Sequence, residues 1–412
     1  MTALIAPTPY NKLHCSMTST NTSTTRSLAL FCKVVDNYGD IGICWRLARQ
    51  LQHEHAIAVT LWVDDLRSFQ RICPQIMPNM LHQTVDAVMV RHWRDQIEVF
   101  SAVEVADLVI EFFGCDIPPG YLAAMAARSP RAIWLNLEGL SAEEWVEGCH
   151  TLPSPHGQLP LTKYFFFPGF TASTGGLLCE ASLEARRQQF HAEVGARQQF
   201  LLGLGLTSAE ITSFIVSLFC YPHAPLASLF AAWQAGDEAM TCVVPEGVAV
   251  AAVEQFLGRP AVVGTSCQHG SLTVRVVPFI EQPLYDKLLW ACDFNIVRGE
   301  DSFVRAQWAQ KPFIWHIYPQ DKDLHHVKLD AFLQRYVPDI DSLVQFSRRW
   351  NDTALAHTPP ATDWAALWAD LQKELMRAEQ RSVEWHRAMA ENGDLASNLL
   401  QFADTLRSVA AE

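Results

Sequence analysis

"VVDNYGDIGICWRLARQL" (residues 34–51) joins the end of an apolar, strand-like segment to a glycine-containing turn and an amphipathic helix. One face of the predicted helix is apolar, whereas Arg46 and Arg49 lie on the opposite face. The turn carries two carboxylates, Asp36 and Asp40. A strand followed at once by a helix is the repeating unit of a parallel sheet covered by helices, so this stretch predicts an α/β fold.

The same pattern recurs along two long regions. In the first region, apolar or β-branched runs predict strands at 28–35, 57–63, 107–113 and 131–137. In the second region, similar runs predict strands at 211–219, 240–245, 272–277, 294–297 and 312–317. Helix-like segments separate the runs, which predicts two doubly wound domains with buried parallel sheets. A length of 412 residues also favours two domains over one core.

Composition narrows the class of protein. A formal net charge of −13 argues against non-specific binding to nucleic acid, which needs a basic surface. No apolar run approaches the roughly 20 residues that span a bilayer, so no membrane partner is expected. The 11 cysteines are scattered singly without a C-x-x-C pair, which predicts reduced thiols and a cytoplasmic protein. Residues 1–26 are biased towards Ser, Thr and Asn and predict a disordered extension.

Asp36 and Asp40 admit two interpretations. Asp40 is well placed to cap the following helix, with Asp36 stabilising the turn. Alternatively, the two carboxylates bind a cation and accept a proton, because close carboxylates push each other's pKa values apart. The turn does not match G-x-G-x-x-G, which disfavours a dinucleotide-dependent oxidoreductase.

A second acidic turn, "IVRGEDSFVRAQWA" (296–309), follows the predicted strand at 294–297. A helix begins near Ser302, and its N-terminus with Arg298 suits a diphosphate. Glu300 would repel such an anion, so it needs another partner, such as a sugar hydroxyl or a cationic acceptor. The simpler interpretation is a capping Asp301 beside a solvated Glu300. Both acidic turns follow strands, so we expect them to face each other across one cleft between the domains.

Other chemical motifs are weaker or missing. "DKDLHH" (321–326) contains residue types that bind metals, but a helix start with polar side chains explains it better. Phe279 and Tyr318 lie near strand ends, where an aromatic ring either stacks on a nucleobase or packs against the rim. No G-x-S-x-G elbow, H-E-x-x-H pair or phosphate-binding Walker loop is present.

Four segments together resemble the protein-arginine rhamnosyltransferases that modify bacterial elongation factor P. They are "FCKVVDNYGDIGICWRLARQL", "KYFFFPGFTASTGGLL", "VPFIEQPLYDKLLWACDFNIVRGEDSFVRAQWAQKPFIWHIYPQ" and "HHVKLDAFL". The resemblance runs from about residue 28 onward. The segment "FCYPHAPL" departs from the family pattern, because Cys220 stands where another aromatic residue is expected.

The resemblance implies a GT-B glycosyltransferase fold with two facing Rossmann-like domains. We expect an acceptor-side domain over 27–205, a nucleotide-sugar-binding domain over 206–385, and a last helix over 386–412 that crosses back to the first domain. The implied reaction is an inverting transfer of rhamnose from dTDP-β-L-rhamnose to an arginine of elongation factor P. The matching catalytic positions are Asp36, Asp40 and Glu300, and no cofactor or metal is implied. The matching donor-site positions are Tyr221, Phe279, Gln282, Arg298, Asp301, Ser302 and Tyr318.

The chemistry of arginine agrees with several carboxylates in one site. Its guanidinium is delocalised and stays protonated, so an enzyme must bind the cation and remove a proton as the new bond forms. Two other hypotheses stay open at this point: a related transferase for another sugar or acceptor, and a non-catalytic sugar-nucleotide sensor. The sensor is disfavoured, since binding an anionic donor gains nothing from three further carboxylates.

Overall fold

The computed structural model describes residues 26–36, 38–94, 100–352 and 362–411. Apart from Arg26, the predicted N-terminal extension lies outside these ranges. The described chain forms two mainly parallel sheets, one of eight strands and one of six, with helices between the strands. The α/β fold predicted from the strand-turn-helix pattern is therefore confirmed.

The first sheet contains strands β1 (Ser27–Cys32), β2 (Ala58–Val63), β3 (His82–Val85), β4 (Val88–His92), β5 (Leu108–Phe112), β6 (Ile133–Leu137), β7 (Pro153–Pro155) and β8 (Thr162–Phe166). Its helices are α1 (Gly39–Glu54), α2 (Leu66–Ile72), α3 (Pro119–Ala127) and α4 (Trp145–Cys149), with a 3₁₀ turn at Ala102–Glu104. The side chains of β1 alternate between two apolar cores, with Leu28 and Leu30 in one and Ala29 and Phe31 in the other. Both faces of the strand are buried, as a central parallel strand requires.

The strand order of this sheet is β3-β4-β2-β1-β5-β6-β8-β7. The six inner strands are parallel, and the two edge strands β3 and β7 are antiparallel. Numbered along the chain, the parallel strands follow the order 3-2-1-4-5-6 of a Rossmann-like sheet. Because the order reverses at β1, a ligand crevice is expected at the carboxyl ends of β1 and β5.

Helices α5 (Leu183–Ala192) and α6 (Ala196–Gly203) lead to the second sheet. Its strands are β9 (Phe214–Leu218), β10 (Met240–Pro245), β11 (Ser266–His269), β12 (Leu272–Val277), β13 (Phe294–Arg298) and β14 (Phe313–His316), in the order β11-β12-β10-β9-β13-β14. The helices here are α7 (Ser208–Ile211), α8 (Leu226–Gln234), α9 (Val250–Leu257), α10 (Gln282–Ala291), α11 (Asp301–Trp308), α12 (Leu324–Tyr336) and α13 (Asp341–Trp350), with a 3₁₀ turn at Asp321–Asp323. The edge strand β11 is antiparallel to β12, and the other described strands of this sheet are parallel. The strand order reverses at β9, the first strand of this sheet along the chain, so a ligand crevice is expected between β9 and β13.

Two long helices end the chain, α14 (Trp364–Glu391) and α15 (Leu395–Ala411). Helix α14 packs against α8, α11 and α13 of the second sheet, whereas α15 contacts α1 and β6 of the first. At the joint between them, Leu395 N–H donates to the Leu177 carbonyl at 3.0 Å. The chain therefore returns to the first domain. No helix in the described part of the chain is long and apolar enough to cross a membrane.

The strand predicted at 211–219 is wrong at its beginning. Thr207 and Glu210 form a capping box that starts α7, so the strand begins only at Phe214. The pair β3 and β4 is missing from the sequence prediction, because its exposed positions interrupt the apolar run. The other predicted strands are confirmed to within three residues at each end, with the largest difference at the end of the first strand, which stops at Cys32.

Candidate active site

The two acidic turns come from different domains and face each other. Asp36 follows β1 and Glu300 follows β13, each at the carboxyl end of a strand that borders the point where its sheet reverses order. Leu140 N–H of the first domain donates to Glu300 Oε1 at 3.1 Å. A Cβ added at Gly299 would lie only 2.8 Å from Asp36 Oδ2, so the close approach of the two turns requires glycine there.

Asp40 lies in the first turn of α1 and is 5% exposed. Its Oδ2 accepts hydrogen bonds from the backbone N–H groups of Val35 and Asp36 at 2.7 and 2.8 Å. The carboxylate therefore fixes the preceding turn rather than capping its own helix, which has no side-chain cap. Burial raises the pKa of Asp40, with the two N–H donors acting against this rise. A raised pKa makes this carboxylate a better proton acceptor than an ordinary aspartate.

Asp36 lies beside an aromatic side chain of the second domain. Tyr221 donates its hydroxyl hydrogen to Asp36 Oδ2 at 2.7 Å. Burial raises the pKa of Asp36, while the Tyr221 hydrogen bond and the charge of Arg298 lower it. Asp36 is thus placed between a neutral donor and a cation, both contributed by the second domain.

Glu300 has the most strongly altered acidity of the three predicted catalytic carboxyls. Burial raises its pKa to about 8, and the nearby charge of Asp40 adds to this effect. The side chain is consequently protonated at neutral pH until a cation approaches. A cationic ligand between Asp40 and Glu300 would favour the ionised form of both.

Arg298 and the start of α11 form a positively polarised wall. The Arg298 guanidinium donates to the Cys220 carbonyl at 3.1 Å and lies 4.5 Å from the centroid of Phe219 and 4.9 Å from that of Tyr221. Ser302 exchanges hydrogen bonds with the Arg298 backbone, which ties the helix start to the end of β13. A cation and the free N–H groups of a helix N-terminus together suit an anionic group.

Gln282 and Asp301 are held by the first domain. Gln282 Nε2 donates to the Gly42 carbonyl of α1 at 2.8 Å and to Asp301 Oδ2 at 2.9 Å. Arg46 Nε donates to Asp301 Oδ1 at 2.8 Å. Arg46 is only 2% exposed, so the polar face of α1 is buried at this residue. That face packs against the second domain.

Two adjoining cavities contain nine of the ten predicted site residues. The aromatic cavity, about 600 Å³ including its open mouth, is lined by residues that include Phe219, Phe279, Gln282, Arg298, Asp301 and Ser302. The carboxylate cavity, about 1160 Å³ measured in the same way, is lined by residues that include Asp40, Phe113, Glu138, Trp145, Glu300 and Tyr318. Asp36, Gly39 and Gly299 line both cavities, so the cavities meet at Asp36. Tyr221, the tenth residue, contacts Asp36 at this junction.

The chain matches known proteins over almost its whole length. Residues 28–404 match the family model described as "Elongation-Factor P (EF-P) rhamnosyltransferase EarP". The chain belongs to this family. A protein-arginine rhamnosyltransferase of Pseudomonas putida is 46% identical over 379 residues, covering 90% of this chain and 97% of the relative. A protein of the same name from Neisseria meningitidis is 35% identical over 375 residues, covering 87% and 92% of the two chains.

A solved structure of the family agrees with the fold. It is described as the structural basis for EarP-mediated arginine glycosylation of translation elongation factor EF-P, and it covers 91% of this chain and 98% of its own. The two chains are 34% identical, with a TM-score of 0.63. The predicted family, enzyme class and two-domain glycosyltransferase fold are therefore confirmed, and the chain is a glycosyltransferase of the protein-arginine rhamnosyltransferase class.

Sequence reasoning missed several residues of the site. Tyr38 lies between the two aspartates in the opening stretch, and its ring is 5.2 Å from that of Phe279 in the aromatic cavity. Glu138 adds a fourth carboxyl group to the carboxylate cavity. The position of Tyr38 between Asp36 and Asp40 could have indicated its role, whereas no nearby motif in the sequence indicates Glu138 or Arg46.

The metal-binding residue types of "DKDLHH" do not come together. His325 is buried and accepts from Gln320 N–H through Nδ1, while Nε2 lies 3.3 Å from the Asn351 carbonyl. Across the described ranges, no three His, Cys, Asp or Glu side chains are grouped so as to hold a metal ion. The segment forms the start of α12, as the simpler interpretation predicts.

Proposed function

We propose that this enzyme transfers rhamnose from dTDP-β-L-rhamnose to an arginine side chain of translation elongation factor P, with inversion at the anomeric carbon. The observation that carries the proposal is the pair of cavities that meet at Asp36. One offers aromatic walls and Arg298, which suit a nucleoside diphosphate, and the other offers carboxylates, which suit a guanidinium. The names of the relatives support the same reaction.

In the proposed reaction, the donor diphosphate lies against Arg298 and the N-terminus of α11. The acceptor guanidinium enters the carboxylate cavity, where Asp36 holds it and Glu300 orients the acceptor or the sugar. A guanidinium nitrogen forms a bond to the anomeric carbon as the bond from that carbon to the diphosphate oxygen breaks. The proton of that nitrogen passes to Asp40, and dTDP leaves as an anion.

Physical chemistry favours this division of roles. Asp40 has one oxygen, Oδ2, committed to two backbone donors, so the other oxygen can accept the proton with little movement of the side chain. Arg298 and the helix N-terminus stabilise the charge that grows on the leaving diphosphate, an effect often worth about 3–4 kcal/mol for one donor. No metal or cofactor is needed in this scheme. We place the reaction in the cytoplasm, in keeping with the unpaired thiols of the described cysteines.

The test is the intact mass of elongation factor P after incubation with this enzyme and dTDP-rhamnose. We expect the mass to increase by one deoxyhexose with the parent enzyme and to stay unchanged with Asp40→Asn, which keeps the shape of the side chain but not its basicity. A gain with both would leave the reaction in place and remove Asp40 as the base. If the parent gives no gain although it binds dTDP-rhamnose, the acceptor is another protein or the chain only senses the nucleotide sugar.

A further inference from the structure

Arg46 connects the helix that carries Asp40 to the second domain. Its Nε donates to Asp301 Oδ1 at 2.8 Å, and its Nη2 donates to the backbone carbonyl of Gln282 at 3.2 Å. The same guanidinium lies within 3.5 Å of Asp286 and Glu180. All these partners lie outside the first sheet, although Arg46 itself belongs to α1.

A second arginine shares only part of this network. Arg305 binds Asp286 through two bonds of 2.8 Å and Glu180 through one of 2.6 Å. It makes no ion pair with Asp301, whose one cationic partner in the described ranges is Arg46. Loss of Arg46 would leave Asp286 and Glu180 still paired with Arg305 but Asp301 without its cation. The specific contribution of Arg46 is therefore to Asp301.

Asp301 in turn fixes the orientation of the Gln282 amide. Both hydrogens of Nε2 are used, one by the Gly42 carbonyl and the other by Asp301 Oδ2. Turning the amide over would lose both bonds and place its oxygen against two acceptors. The Gln282 Oε1 atom is buried and accepts no hydrogen bond within the described chain. A buried acceptor without a partner is costly unless a ligand donates to it.

Gln282 lines the aromatic cavity together with Ile72, Phe219, Pro245 and Phe279, which suit a flat nucleobase. We propose that Arg46 is a positioning residue for base recognition, an inference that rests on the nucleotide-sugar donor proposed above. It holds Asp301, and Asp301 holds the Gln282 amide so that Oε1 accepts a hydrogen from a ring N–H of the base. Uracil and thymine carry such an N–H at position 3, whereas cytosine carries a lone pair there.

The test compares Arg46→Lys with the matched control Arg305→Lys. Both changes keep the charge and remove one guanidinium from the same network, but only Arg46 contacts Asp301. Calorimetry would measure the affinities for dUDP and dCDP, which differ only at the pairing edge of the base. We expect the parent to bind dUDP more tightly than dCDP. In Arg46→Lys this preference should fall about tenfold. Arg305→Lys should keep the preference, even if its melting temperature falls more than that of Arg46→Lys.

An unchanged preference in Arg46→Lys, or an equal loss in both variants, would overturn the proposal. If Arg46→Lys does not fold, Asp301→Asn makes the same test, because an amide at this position can donate as well as accept and no longer fixes Gln282. The two proposals fail separately. A parent that binds dTDP and transfers rhamnose without preferring dUDP to dCDP contradicts only the role of Arg46, whereas a parent that binds none of these nucleotides contradicts the donor class itself.

Discussion

At the scale of single residues, the site depends on carboxyl groups in unlike surroundings. Asp40 is bound by two backbone N–H groups, Asp36 by the Tyr221 hydroxyl, and Glu300 by the Leu140 N–H alone among the described residues. Desolvation raises the pKa of all three, and for Glu300 it brings the pKa to about 8. One cavity therefore contains carboxyl groups that respond differently to the arrival of a cation.

The raised pKa of Glu300 predicts how stability depends on pH. The folded state binds a proton at Glu300 between the ordinary pKa of glutamate, about 4.3, and its folded value of about 8. The stabilisation from this group is thus fully present below pH 4.3 and is lost as the pH rises towards 8. Glu300→Gln resembles the protonated form of Glu300. Its free energy of unfolding should therefore fall less than that of the parent as the pH rises from about 4.3 to about 8.

Urea unfolding between pH 5 and pH 8 would measure this difference in the free energy of unfolding. Glu391→Gln is a suitable control, because Glu391 is exposed on α14 and the change also removes one carboxyl group. The assignment fails if Glu300→Gln and the parent lose stability in parallel as the pH rises.

At the scale of elements, the decisive contact is between α1 and α11. A Cβ added at Gly42 would lie 3.0 Å from Asp301 Cβ, so the absence of a side chain on α1 lets the two helices approach. The same glycine supplies the carbonyl that accepts from Gln282. Gly42 lowers the helix propensity of α1 but leaves the space into which the second domain packs.

Gly42→Ala tests this contact against Gly148→Ala in α4, where an added Cβ meets nothing within 4 Å. Alanine should favour both helices by up to about 1 kcal/mol. At Gly42, however, the methyl group must displace Asp301, so we expect a loss of transfer activity and of donor affinity. Thermal unfolding and donor calorimetry of the two variants would measure this. Normal donor binding by Gly42→Ala would show that Asp301 can move without consequence.

At the scale of the whole molecule, α15 connects the end of the second domain to the first. Asn398 donates to the Gly175 carbonyl at 3.1 Å and to the Asn392 carbonyl at 3.0 Å, while Leu395, Leu399 and Ala403 are buried. These contacts join the end of the second domain to the first domain through a segment that does not itself line either cavity. The relative position of Asp36 and Glu300 thus depends on the last helix as well as on the interface at α11.

Asn398→Ala should therefore destabilise the protein, by about 1–3 kcal/mol, because it leaves the Gly175 and Asn392 carbonyls without this donor. Thr405→Ala on the exposed side of the same helix is the control, since its hydroxyl donates to the Gln401 carbonyl within α15 itself. Chemical denaturation gives the stabilities, and hydrogen exchange at β6 shows whether the first domain loosens. Equal stability of the two variants would contradict a bracing role for α15.

The sequence alone determines the local units of this protein. The alternation of apolar runs and amphipathic helices is a short-range pattern, so most strands, the helix after Asp36 and Asp40, and the helix after Arg298 can be predicted from neighbouring residues. The positions of the carboxylates and Arg298 can also be predicted, because they lie where a strand gives way to the next helix, the edge at which parallel sheets place ligands. The hairpin of β3 and β4 cannot, since its exposed side chains hide the apolar pattern.

Only the tertiary structure decides which groups face each other across the domains. Arg46 has an ordinary place on the polar face of an amphipathic helix, yet it is buried because Asp301 and Glu180, 255 and 134 residues away along the chain, pack against it. The pKa of Glu300 likewise depends on burial, on the Leu140 N–H and on the charge of Asp40, and both of these residues belong to the other domain. Charge burial and hydrogen bonding across an interface depend on distances in space, which the order of residues along the chain does not contain.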